Sequence, residues 1–217
     1  MNVALLYKLG GAFLKENQGY RVHWRKFVTF TFIIGLIVAF FSVISDNLSF
    51  LGDRVTVLEF VIAYLAVMIN SLPMWFIVAM LVGYIFARNI KKAALLGAIY
   101  TITAITFYFV IRHFYTDIPV TVTISFKELA ISYVNWYGAS TIGGILGGVV
   151  GYLVKKTPFA LLSLLVGLIL QLFVYGTSSW SDIVGIAQNV TFCLMILCIF
   201  IYLVIVKRND RSEYFGM

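Results

Sequence analysis

Charge is what this chain of 217 residues has least of: Asp, Glu, Lys and Arg make up only 12% of it, against about 25% in soluble domains. Six stretches hold no charged residue and no histidine at all: Phe27–Ser45, Phe60–Ala87, Ala93–Ile111, Leu129–Val154, Thr157–Ser181 and Ile183–Val206. That gap argues against proton relays and ion-coupled sites, which need ionisable groups inside the membrane. Histidine is as scarce, with only His23 and His113, both outside the stretches. No His-Glu-x-x-His pair for zinc, no Cys-x-x-Cys, no span histidine to activate a serine and no Walker-type loop is present. No enzyme is expected, hence no catalytic residue, metal or cofactor, and any ATP-driven work would need a partner. The two cysteines, Cys193 and Cys198, lie five residues apart and so about 140° apart around a helix. That spacing argues against a disulfide and suggests small core residues.

What the chain has instead is hydrocarbon, with 62% hydrophobic residues. Each stretch reaches the roughly 17–25 residues that cross a bilayer as a helix. The expected fold is an all-α polytopic membrane protein of six transmembrane helices, 27–45, 60–87, 93–111, 129–154, 157–181 and 183–206. Residues 27–206 then form one membrane domain, 1–26 a cytoplasmic or interfacial segment and 207–217 a cytoplasmic tail. Thirteen of the sixteen Lys and Arg fall on one side of such a bundle, and the other side keeps Arg54, Arg112 and Lys127. Positive charge stays inside, so both termini are expected in the cytoplasm of a multi-pass cell-membrane protein. The net charge of +7 reads as topology and contact with anionic lipid, not as a nucleic-acid site, because the basic residues are juxtamembrane. Residues 1–20 lack the continuous apolar core of a signal peptide, since Lys8, Lys15 and Glu16 interrupt it. Val3, Leu6, Leu9, Phe13 and Leu14 recur at helical spacing, which suggests an amphipathic helix on the inner leaflet, although Gly10 and Gly11 weaken it.

Small and polar residues inside the stretches mark where helices meet or a solute could sit. In the fourth, Ala139, Gly143, Gly147 and Gly151 form one small-residue stripe, with Ser140, Gly144 and Gly148 beside it. Helices approach closely through such residues in lipid, so this helix is expected at the centre, touched from two sides. In the second, Pro73 predicts a kink, and Asn70 lies about 15 Å below the outer end of a straight helix, near the midplane. Its amide needs a partner, and the carbonyl freed by Pro73 is one candidate. Asn135, Gln171, Gln188 and Asn189 fall in the outer half with Trp136 and Tyr137. Aromatics there also serve as a lipid-facing belt, but buried amides are costly unless paired. Together they suggest an outward-facing cavity lined by amides and aromatics, with Glu59, Arg112, His113 and Glu128 at its rim.

The runs Asn70-Ser71-Leu72-Pro73-Met74-Trp75 through Ala87-Arg88-Asn89-Ile90-Lys91-Lys92, with the glycine-rich span followed by Lys155-Lys156, resemble a family of small bacterial six-helix membrane proteins of unknown function, over residues 70–176. In size, span count and tail orientation the chain is also similar to the substrate-binding components of energy-coupling-factor importers. That similarity implies capture of a solute from outside and docking on a membrane partner with its ATPase complex. The function expected is a non-enzymatic solute-binding or transport component. The alternative is an accessory or immunity-type protein that holds a membrane partner.

Overall fold

Hydrocarbon offers no partner to a backbone N–H or C=O, so apolar runs of this length must fold as helices. The computed structural model describes residues 3–48, 56–115 and 126–215, with side chains from 23 to 208 except 175 and 178. Among the described residues there are helices and turns and no strand. The α-helices in chain order are α1 (Val3–Asp46), α2 (Val57–Ile69), α3 (Leu72–Phe86), α4 (Ile90–Tyr115), α5 (Phe126–Val154), α6 (Leu162–Tyr175) and α7 (Ile183–Phe215). Residues 120–125, in which Val, Thr, Val, Thr, Ile and Ser alternate apolar with polar, lie outside the described residues.

By length and composition, four segments can cross a membrane: His23–Asp46, Ile90–Tyr115, Phe126–Val154 and Ile183–Arg208. A fifth follows if α2 and α3, bent by 63°, form one broken span. The stretch Thr157–Ser181 is divided, because tight 3-10 turns at Pro158–Leu161 and Gly176–Trp180 leave an α-helix of 14 residues between them. Pro158 opens its turn at the first position, where its missing N–H costs nothing. At the other end of the chain α1 runs without a break, so the amino-terminal segment and the first apolar stretch share one helix.

The centre of the bundle is α5, laid onto α3 and α4, which also touch each other. Backbone meets backbone there. A Cβ added to Gly148 would land on the Ala93 carbonyl of α4, and one on Gly83 of α3 would land on the Gly148 carbonyl. A Cβ on Gly144 would lie 2.6 Å from the Gly97 oxygen, and one on Gly147 would lie 2.7 Å from the Ala79 Cβ. Gly151 faces the Met80 backbone in the same way. Gly143 behaves differently from the expectation: it has open space for 4 Å around an added Cβ. The contact between α3 and α5 has run out there, since α3 begins only about one turn above the point where Phe76 meets Gly147.

Three apolar clusters flank this glycine seam. Phe27, Ala79, Val82, Leu96, Tyr100 and Ala104 join α1, α3 and α4 near the basic end. Ala39, Val43, Ile105 and Tyr108 join α1 and α4 near the other. Met68, Met80, Leu164, Leu168 and Phe192 tie α2, α3, α6 and α7 together. The outward faces are as apolar as the inward ones. In the apolar window of α7 only 17% of the residues are buried within the protein, and so large an exposed apolar surface marks contact with lipid or another membrane helix. Cys193 and Cys198 are both free and exposed on α7, not core residues: the helix is peripheral, so most of its circumference faces outward.

Candidate functional site

The second apolar stretch divides at Asn70-Ser71 because local chemistry ends one helix and starts another. Asn70 caps α2, with its backbone N–H on the Ala66 carbonyl at 2.9 Å. Ser71 then caps α3: its Oγ accepts from the Met74 N–H at 3.4 Å and donates to the Met68 carbonyl at 2.6 Å. Pro73 sits in the first turn of the new helix, where a proline is well tolerated. The bend expected from the sequence is there, 63° between α2 and α3, but as a break between two helices with Pro73 opening the second, not as a kink inside one. Ser71→Ala removes that cap and is expected to cost about 1 kcal/mol, and Pro73→Ala markedly less, since a proline in the first turn gives up no intrahelical hydrogen bond of α3. Thermal unfolding of the two variants in detergent measures that order; equal losses would return the break to the proline.

The break is clamped from two other helices. Asn70 Nδ2 donates to Asp46 Oδ1 at 3.1 Å, at the last residue of α1. The Tyr108 hydroxyl of α4 donates to Asp46 Oδ2, and Arg112 Nη1 donates to that hydroxyl at 2.9 Å. The Arg112 guanidinium also lies 5.8 Å from the centre of the Tyr108 ring. One carboxylate thus gathers the end of α1, the α2–α3 break and one face of α4. Asn70 is not at mid-depth, as a straight helix would put it; it sits level with the end of α1. Its amide is satisfied by Asp46 and not by the carbonyl that Pro73 frees. Asp46 and Tyr108 were missed as a pair: in sequence Asp46 is only the first charge after an apolar run. The one available signal was Tyr108 and Arg112 four residues apart, hence on one helix face.

The remaining residues of the expected cavity do not converge. Gln188 is buried and donates to the Val67 carbonyl of α2 at 3.2 Å. Asn189 is 2% exposed and donates to Ser179 O and Oγ at 3.1 and 2.8 Å, holding the turn before α7. Gln171 is buried on α6. Asn135 and Trp136 are exposed on α5. Glu59 is exposed at the start of α2, where its carboxylate accepts from the Thr56 N–H at 2.8 Å and hydroxyl at 2.7 Å in a capping box. Glu128 is exposed in the first turn of α5.

Tyr137 and His113 do come together. Between α4 and α5 a groove of about 500 Å³ opens to the side, lined by Thr106, Phe109, Val110, His113, Phe114, Tyr133 and Tyr137. Its wall is ordered by ring packing: Phe109 meets Tyr133 edge-on at 4.6 Å and lies nearly parallel to Tyr137 at 5.7 Å. The Tyr137 and Thr106 hydroxyls are hydrogen-bonded at 3.0 Å across the two helices. Such a surface offers aromatic faces and edges to an apolar solute, with one hydroxyl pair to orient a polar group. Tyr108 and Arg112 lie on the same helix, so α4 joins groove and clamp. None of the five amides lines the groove. Among the described residues no three His, Cys, Asp or Glu side chains gather as metal ligands would.

Compared with known protein families, curated proteins and solved structures, the chain matches none of them.

Proposed function

We propose that this is a non-enzymatic membrane protein that takes a small apolar or aromatic solute into the groove between α4 and α5, as one component of a transport system. In this reading the chain crosses the bilayer six times, with α2–α3 as a broken span, Pro158–Val174 as a short one and both termini on the basic, cytoplasmic side. The groove then opens in the outer half. The carrying observation is the ordered aromatic wall, Phe109 between Tyr133 and Tyr137, along a shallow groove open to the side. A broken helix beside such a site is a recurrent transporter device, and here α4 connects the two.

Thermal unfolding across a panel of aromatic and apolar metabolites tests the proposal. A binding solute is expected to raise the unfolding temperature, by mass action on the folded state, and Tyr137→Ala to remove most of that rise. A panel without a hit, or a shift indifferent to Tyr137→Ala, sinks it. A second reading has one observation of its own. Gly138 and Gly143 on α5 have open space around them, which suits close approach by a helix of another protein and thus an accessory or immunity-type role. Gentle-detergent co-purification separates the two: a stoichiometric ATPase complex supports transport, and a different membrane partner supports the second.

A further inference from the structure

A second groove, of about 120 Å³, lies at the opposite end of α4. His23, Trp24 and Phe27 of α1, Phe86 of α3, Arg88 of the α3–α4 turn, and Lys92, Leu95 and Leu96 of α4 line it. Its floor is fixed by rings: Phe86 meets Phe27 at 5.6 Å, His23 edge-on at 6.4 Å and Phe30 at 5.5 Å. The turn that carries Arg88 is held too, since Lys155 Nζ donates to the Ala87 carbonyl at 2.9 Å, and Asn89 Oδ1 accepts from the Lys92 N–H at 2.8 Å. Among the described residues no acidic side chain lines the groove. Arg88 and Lys92 are exposed on its rim, and Trp24 and Leu95 remain 45% and 59% exposed beside them.

Two cations above an aromatic floor, with apolar side chains continuing outward, match one kind of molecule: a phosphate with a hydrocarbon tail. We infer that this groove is a binding site for an anionic glycerophospholipid. Arg88 and Lys92 receive the phosphate, and Trp24, Leu95 and Leu96 lie along the start of the acyl chain. A soluble phosphate compound would leave Trp24 and Leu95 uncovered. Basic pockets between helices at the cytoplasmic face recognise lipid headgroups by this charge complementarity, and an indole at that depth lies where headgroup and hydrocarbon meet. The site is independent of solute capture at the α4–α5 groove, so either proposal can fail without the other.

The test uses the full chain in neutral detergent, its unfolding followed with added dioleoyl phosphatidylglycerol or dioleoyl phosphatidylcholine. The anionic lipid is expected to stabilise and the zwitterionic one not. Each basic residue that meets the lipid phosphate in the groove should contribute about a factor of five in binding, the scale of one Lys or Arg beside anionic lipid. Arg88→Gln with Lys92→Gln should therefore weaken the apparent affinity for phosphatidylglycerol about 25-fold. Lys91→Gln with Lys156→Gln removes the same charge outside the groove and should leave it within about twofold, because those positions do not line the site. Should the first pair fail to fold, Trp24→Ala, which keeps every charge, is expected to weaken binding by itself. Equal losses from the two pairs, no preference between the lipids, an affinity indifferent to Trp24→Ala, or the same stabilisation by inorganic phosphate would each overturn the assignment.

Discussion

Gly148→Leu is expected to leave almost no folded protein, the largest effect of any single change in this molecule. The added Cβ meets the Ala93 carbonyl and comes within 3.2 Å of the Gly97 Cα, while the Gly83 backbone presses from α3. All of these are backbone atoms, so no side chain can rotate away and whole helices must separate. Overpacking that side chains can absorb costs about 1–3 kcal/mol. Here the loss should exceed that range and approach the total stability of a typical protein, about 5–15 kcal/mol. Monodisperse yield from size exclusion in detergent measures it. The companion variant is Gly143→Ala, five residues away on the same helix, where an added Cβ meets nothing within 4 Å. It should be neutral or stabilising by up to about 1 kcal/mol, from helix propensity alone. Equal damage from both variants would mean that the glycines supply flexibility and not closeness.

Removing the Asp46 carboxylate should have the next largest effect. Asp46→Ala deprives Asn70 Nδ2 and the Tyr108 hydroxyl of their acceptor and leaves that hydroxyl with the bond it accepts from Arg112 Nη1. Hydrogen bonds to a charged group contribute about 1.5–3 kcal/mol, and a loss of that size is expected. Tyr108→Phe should cost less, since the Asn70 bond to Asp46 survives. Because the two residues touch, their effects should not add, and a double-mutant cycle should return a coupling of about 0.5–3 kcal/mol. The clamp also makes a local prediction: amide exchange should quicken around residues 66–74 in Asp46→Ala and far less elsewhere. An unchanged unfolding temperature with unchanged exchange there would show that the clamp holds nothing.

How far the sequence could be read is clearest in these same residues. The central position of α5 was legible, because in lipid small residues at four-residue spacing have few uses besides close packing. Gly144, Gly147, Gly148 and Gly151 are indeed at the seam. The failure at Gly143 came from outside the helix: whether a stripe is used depends on where the neighbour begins, and α3 begins at Leu72. Polar depth was misread for a similar reason. Counting 1.5 Å per residue from Phe60 assumes one straight rod, and the Ser71 cap ends that rod at Asn70. Amides seek whichever acceptor the fold presents. Gln188 found a carbonyl on α2 and Asn189 found the turn before its own helix, partners that no spacing along α6 or α7 announces. The aromatic groove was half legible: Tyr137 and His113 were singled out, while Phe109 and Tyr133 look like ordinary belt residues until two helices bring them together.

The peripheral attachment of α7 bears on how the protein is made. Among the described residues its polar side-chain bonds to other elements fall between Gln188 and Thr191, where Thr191 meets Tyr64 at 2.7 Å, and most of the described helix beyond faces outward. The seam of α3, α4 and α5 is complete by Val154. Synthesis from the amino terminus therefore delivers α3 and α4, an antiparallel pair able to touch, after α1 and α2 and before α5. Next comes α5, laid onto that pair, and only then α6, which meets α3, and α7, which meets α2 and α6. No later helix has to thread between earlier ones, so the order in which segments leave the ribosome is also an order in which they can pack.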